Sequence, residues 1–305
     1  MRDYWLTQYL LSAIGWGYLI IVLIVLGIVL WLIKGKVAKT VAFLIVLGLA
    51  SILPIQGYRE YLKEREVADA HRARLAKAQA LFDERCKTAG EKIYKTMDGV
   101  DGVVWMKWRP SGLNQGQFSL DDPYGKDCSG EGCILRLLRG NETSIEEQAQ
   151  SPTPSLKYKY VETIDPSDGV HYRYTGISKS ITEVPKDEFL LHVQRTGSGA
   201  DTRGRFLALQ RQPIKKFSAN FGLIWDDVST RGDRESWIAG GSLKVVEVQT
   251  NELIAERVGY LIDTGQGSTA GARDPWSWAR SYAPKCPQRS ENTVDFAVRV
   301  LKPGK

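Results

Sequence analysis

Two apolar runs dominate the first 58 residues. Leu11–Ile33, LSAIGWGYLIIVLIVLGIVLWLI, extends 23 residues without a charge, and Thr40–Tyr58, TVAFLIVLGLASILPIQGY, extends 19 more. A helix rising about 1.5 Å per residue needs roughly 20 residues to cross a hydrocarbon core about 30 Å thick, and both runs reach that length. Trp16 and Trp31 sit near the two ends of the first run, and Tyr58 and Tyr61 follow the second, as interfacial aromatics do. A cleaved signal peptide has an apolar region of only about 7–15 residues followed by a small-residue cleavage site. The first run exceeds that and leads directly into a second, so the pattern predicts a two-span membrane hairpin with the lipid bilayer as its first partner.

Charge sharpens the division. The formal net charge of +6 invites a nucleic-acid reading, yet Thr96–Lys305 carries 27 Lys and Arg against 27 Asp and Glu. The excess belongs to the membrane-flanking segments, where anionic headgroups account for it better than phosphate backbones. No nucleic-acid partner is expected.

The loop KGKVAK holds Lys34, Lys36 and Lys39 and no acid, which by the positive-inside tendency places it in the cytoplasm. The flank after the second run opposes this with Arg59, Lys63, Arg65, Arg72 and Arg74. Cysteine usage favours the first orientation. Cys86, Cys128, Cys133 and Cys286 all follow the second run, and paired cysteines belong to oxidising compartments. Four cysteines allow three connectivities. Gly130 and Gly132 let a turn close Cys128 onto Cys133, which leaves Cys86 for Cys286. The expected location is therefore an inner (plasma) membrane, crossed twice, with the large C-terminal domain periplasmic or extracellular.

These readings divide the chain into an N-terminal flank (1–10), a first span (11–33), a basic cytoplasmic loop (34–39), a second span (40–56), an amphipathic helical stalk (57–95) and a β-rich extracytoplasmic domain (96–305). The stalk is rich in strong helix formers. Its apolar stripe comprises Leu75, Ala78, Phe82, Cys86, Ala89 and Ile93 at spacings of three and four. A homo-oligomeric coiled coil over so few heptads is the weaker alternative.

From Gly99 onward the texture is β-rich. Strands are expected in Gly102–Pro110, Leu156–Ile164, Val170–Ser178, Glu188–Thr196 and Arg205–Arg211, and in the closing TVDFAVRVL. Gly241–Asp263 reads as a hairpin around a turn at Gln249–Glu252. Short helices are expected in TSIEEQAQ, by the capping-box spacing of Ser144 and Glu147, and in DPWSWARSYA, with Pro275 at its first position. The fold class is thus membrane-anchored α+β: two transmembrane helices, a helical stalk and a mainly antiparallel β-rich domain with disulfides.

Reactive constellations are sparse. Cys128 and Cys133 could form half a zinc site, but no second Cys or His pair follows, and a redox pair has two intervening residues beside a helix start. No metal and no cofactor are expected. His171 and His192 fall in expected strands without a G-x-S-x-G elbow, an H-E-x-x-H or a P-loop. GQGSTAGARD lacks the Lys-Ser/Thr ending of a phosphate loop and reads as a surface loop. Asp226 and Asp227, adjacent on a strand, face opposite ways.

Trp276, Trp278 and Tyr282 are either core beneath a disulfide or a recognition surface. Glu131, between two glycines at the tip of the Cys128–Cys133 turn, is a further candidate contact. The leading functional expectation is a non-enzymatic membrane protein whose outer domain binds a protein partner, in an envelope or secretion complex or as a toxin-immunity protein. The alternative is a hydrolase or carbohydrate-active domain using His171 or His192.

Overall fold

The computed structural model describes residues 2–108, 116–118, 128–139, 158–201, 203–288 and 291–304. The chain forms two compact units, Met1–Arg72 and Ala73–Lys305. The expected TSIEEQAQ helix, the QSPTPS loop and Asp127 lie outside the described residues.

The first unit holds α1 (Arg2–Leu32) and the start of α2 (Lys36–Cys86). Both helices are long and apolar enough to cross a membrane. Among the side chains described, partly covered ones form two stripes: Tyr18, Val22, Leu26 and Leu30 on α1, and Ala42, Val46 and Ala50 on α2. Spacing of four keeps each stripe on one helix face. The small Ala residues suit close helix contact.

One hydrogen bond in this hairpin follows directly from the sequence. Pro54 lies inside α2 and has no N–H, so the carbonyl four residues back, Ala50, loses its helical donor. The Tyr18 hydroxyl donates to that carbonyl. Tyr18→Phe should therefore cost about 1 kcal/mol of hairpin stability, whereas in a Pro54→Ala background, which restores the N–H, it should cost close to nothing. Denaturant titration of the four chains in detergent micelles measures this coupling; equal costs in both backgrounds would contradict it.

The second unit is built on a sheet of nine strands. They are β1 (Gly90–Ile93), β3 (Gly102–Lys107), β4 (Tyr160–Ile164), β5 (His171–Ser180), β6 (Arg205–Pro213), β7 (Phe221–Asp227), β8 (Ile238–Glu247), β9 (Leu253–Ile262) and β10 (Lys285–Cys286). The order is β1-β9-β8-β7-β3-β4-β5-β6, with β10 also on β9. Most pairs are antiparallel, but the central β3 runs parallel to both β4 and β7. β3 is buried from Gly102 to Trp105, as expected of a strand covered on both faces. A separate parallel pair joins β2 (Met97–Val100) to β11 (Leu301–Pro303). The hairpin read in Gly241–Asp263 is present as β8–β9.

Helices α3 (Gly130–Arg139) and α7 (Thr293–Val300) close one core. Ile134, Leu137, Phe296 and Val300 meet Val103, Trp105 and Leu223 of the sheet. The end of α2 closes a second core, with Ala78 and Phe82 against Ile238, Tyr260 and Ile262. The Arg85 guanidinium donates to the buried Asp233 carboxylate of α5 (Arg231–Glu235) at 2.9 Å, and Cys86 is bonded to Cys286. Apolar packing, an ion pair and a covalent bond thus converge within nine residues of one helix end.

Four expectations are corrected. Glu188–Thr196 is not a strand but part of α4 (Lys186–Thr196), with Asp187 and Glu188 in its first turn, Arg195 in its last and Gly197 as a left-handed cap. TVDFAVRVL is mostly α7, whose Asn292 side chain accepts from the amides of Val294 and Asp295. The residues after Cys128 form α3 rather than the tight turn expected between Cys128 and Cys133, because Cys133, Ile134, Leu137 and Leu138 recur at helical spacing and are buried. The stripe assigned to one helix up to Ile93 also divides: α2 ends at Cys86, and Ile93 belongs to β1.

Candidate functional site

The connection within the β5–β6 hairpin contains α4, which lies beside α3. Gly132 of α3 permits the approach: a Cβ there would stand 2.8 Å from the Thr196 carbonyl oxygen. Among the described residues a groove of about 270 Å³ opens between these helices and the hairpin. Ile177, Leu191, Phe206 and Leu209 supply apolar lining, and Glu131, His192 and Arg195 supply polar groups.

The charged groups are paired rather than idle. Glu131 accepts from Arg195, and Lys179 lies 3.1 Å from Glu188. His192 packs against Phe206, ring centroids 4.8 Å apart, and its Nε2 is 3.4 Å from the Thr196 hydroxyl. Burial and the neighbouring Arg195 charge hold its pKa below the usual imidazole value. Further along the hairpin, Arg211 donates to Asp165 at 3.0 Å and lies over the Tyr172 ring. Burial pushes the Tyr174 hydroxyl up to about 12.

Glu131 and His192 were singled out on unrelated grounds, and they meet here across a sequence separation bridged by α3 and α4. Glu131 is not an exposed tip: its side chain is 12 % exposed and bonded to Arg195. His192 is on a helix, not a strand. His171 is elsewhere, at the start of β5, stacked on Phe217 at 4.7 Å. No carboxylate is hydrogen-bonded to either imidazole among the described residues, so the base-and-orienter geometry of a hydrolytic triad is not assembled there. The apolar Leu190 and Leu191, 55 % and 56 % exposed, were missed as surface features because the segment was read as a strand.

No family model, curated protein or solved structure matches this chain.

The aromatic cluster separates into two roles. Trp276 is 1 % exposed, packs on Trp237, Ala239 and Leu261, and its indole donates to the Gly116 carbonyl at 3.0 Å. Trp278 is half-buried under the Arg273 guanidinium, 4.4 Å from the ring centroid, and Tyr282 is 75 % exposed. Helix α6 (Pro275–Tyr282) carries all three, with Pro275 in its first turn as expected.

The Gly-rich loop beside them is organised around its own acid. The fully buried Asp263 carboxylate accepts from the amides of Gly265 at 3.0 Å and Gly267 at 2.9 Å, and pairs with Arg273. Those amides are therefore turned toward a resident carboxylate. Gly267 has φ +78° and lies over Trp237, where a Cβ would come within 2.1 Å of the ring. Gly267→Ala should lower domain stability by about 2–3 kcal/mol, read as a fall in unfolding midpoint, since backbone strain and overpacking coincide. An unchanged midpoint would show that the loop does not hold Trp237 in place.

Both disulfides expected from the cysteine pattern are present. Cys86 and Cys286 have Cα atoms 5.5 Å apart, and Cys128 and Cys133 4.8 Å apart. Cys128–Cys133 fastens the first turn of α3, which carries Glu131 into the groove.

Proposed function

We propose that this chain is a two-span membrane protein of the inner (plasma) membrane whose disulfide-bonded domain lies outside the cytoplasm and binds a protein partner through the α3–α4–β5–β6 groove. The observation that carries the binding role is the groove itself, where Ile177, Leu191, Phe206 and Leu209 lie beside the Glu131–Arg195 and Lys179–Glu188 pairs and Leu191 is left exposed. Membrane insertion is supported by the uncovered apolar side chains of both helices, Leu19, Ile20, Ile24, Leu44, Leu47 and Leu49 among them. Such a surface is costly in water and favourable in hydrocarbon. The lysine loop and the two disulfides support the assignment of the domain to the outer side of the membrane. An envelope or secretion complex and a toxin-immunity pair are the concrete settings.

A photocrosslinking residue at position 191 of the full chain, in its native membrane, tests this reading. The expected product is a crosslink to one protein which, once purified, binds the full chain at least tenfold more weakly after Leu191→Asp. A crosslinking pattern no different from that of the same residue at position 244 would overturn it. The hydrolytic alternative predicts instead that His192→Ala abolishes turnover while leaving the crosslink intact.

A further inference from the structure

We infer that the partner presents an extended acidic segment that adds to the outer edge of β6 as a further strand; this rests on the protein-binding reading above. Strand β6 ends the sheet order. It pairs with β5 from Arg205 to Pro213; on its other side Asp201 already bonds the N–H and C=O of Arg205, and beyond Arg205 no strand among the described residues pairs with it. Backbone groups alternate between the two sides of a strand, so the outward N–H and C=O groups of Leu207, Leu209 and Arg211 remain able to take another backbone. The opposite end of the sheet differs, because the outer side of β9 is shared by the short strands β1 and β10.

Charge selects the occupant. Residues 202–216 contain five cations, Arg203, Arg205, Arg211, Lys215 and Lys216, and no acid. Thr96–Lys305 as a whole is balanced at 27 against 27, so this excess is local. All five side chains are exposed. Arg211 is bonded to Asp165, and the Arg205 guanidinium donates to the neutral Ser178 hydroxyl at 3.1 and 3.0 Å. Arg203, Lys215 and Lys216 flank the two ends of the strand. A second copy of β6 would bring like charges into register, which disfavours self-pairing; an acidic strand would neutralise them.

The groove supplies specificity. Its volume of about 270 Å³ falls just below the roughly 300–1,000 Å³ of small-molecule sites and suits one or two apolar side chains. It is lined in part by Phe206, Ala208 and Leu209 of the same strand. Strand addition with main-chain bonding along an edge and an apolar anchor in a neighbouring pocket is an established mode of peptide recognition.

The probe is an acetylated ten-residue peptide of alternating Val and Glu, compared with its Val/Lys counterpart and with a Val/Glu peptide N-methylated at alternate amides. The full chain is held in phosphatidylcholine nanodiscs. The Val/Glu peptide should bind at least tenfold more tightly than the Val/Lys peptide, weaken with salt, and slow amide exchange at least tenfold at Leu207, Leu209 and Arg211; N-methylation should abolish binding. The triple variant R203E/K215E/K216E, altered only at exposed sites, should reverse the charge preference. Equal affinity for the two charge types, or no added protection in β6, would overturn the inference. Should the triple variant leave the position-191 crosslink unchanged, strand addition fails while the protein-binding reading stands. Loss of specific crosslinking in the unmodified background removes that reading itself.

Discussion

Replacing Cys86 and Cys286 by serine should cost about 5 kcal/mol and lower the unfolding midpoint of the domain by about 10–20 °C. The bond spans 200 residues, so the unfolded chain loses a large loop-closure entropy when it forms. In the folded domain it unites the end of α2 with β10 on the outer side of β9. Without it, that helix end keeps Phe82 against Tyr260 and Ile262, and the Arg85–Asp233 pair. The shorter Cys128–Cys133 ring, with a separation of only 5, should contribute about 2 kcal/mol by the same reasoning. Thermal unfolding of both serine pairs in detergent ranks them. A larger loss from the short ring, or a midpoint drop under about 3 °C for the long one, would contradict this reading.

Glu162→Ala should be nearly as damaging, at about 3 kcal/mol. Glu162 lies on β4 directly across from Arg173 of β5 and is fully buried. Its Oε1 accepts from Arg173 Nε at 3.0 Å and Nη2 at 2.7 Å, and its Oε2 accepts from the amides of Ser218 at 2.8 Å and Ala219 at 3.0 Å. One carboxylate thereby secures the connection from β6 to β7 across the sheet. Removing it strands two amides and a guanidinium, though Arg173 is partly solvated and can recover some hydration. Glu162→Gln, which keeps one acceptor, should cost about half as much.

Acid should mimic the substitution. Burial pushes the Glu162 pKa up, but the bonds from Ala219, Arg173 and Ser218 outweigh it and hold the value below the usual glutamate range. Asp165 and Asp233 are lowered in the same way, with Ser167 and Arg85 respectively heading the bonds that outweigh burial. A lowered folded pKa means that the unfolded chain binds protons first. The stabilisation is complete above the unfolded values, near pH 4, and is lost as pH falls through the folded ones. Unfolding midpoints should be flat from pH 7 to about 5 and then decline, with a shallower decline in Glu162→Gln. A decline starting near pH 6.5 would point to histidine instead.

Which parts were legible follows from how many signals agreed. The β8–β9 hairpin was readable because alternation, β-branched residues and a polar turn coincide. The helix at Pro275 was readable from its proline and preceding Asp274, whose side chain accepts from the Ser277 amide. Helix α7 was misread because Val294, Phe296, Val298 and Val300 alternate as a strand would, while Val294, Ala297 and Leu301 fit a helix equally well. Asn292 and Asp295 at capping distance break the tie. Helix α4 was misread for a different reason: Leu190 and Leu191 face outward, so no helical burial stripe exists to be seen. Its end signals, Asp187, Glu188, Arg195 and Gly197, were the better guide. The groove was invisible in sequence because Glu131, His192 and Phe206 meet only through the packing of α3 and α4 on the hairpin. The parallel placement of β3 was equally hidden, since local pattern carries no strand direction.

The central claim is an anchored domain that is disulfide-bonded and outside the cytoplasm. Membrane-impermeant maleimide labelling tests it directly, in intact cells before and after reduction and denaturation. The account predicts no labelled thiol on the untreated full-length chain, and labelling of Cys86, Cys128, Cys133 and Cys286 from the outer side once both bonds are reduced and the domain is opened. Thiols that label without reductant, and only after cell lysis, would contradict it.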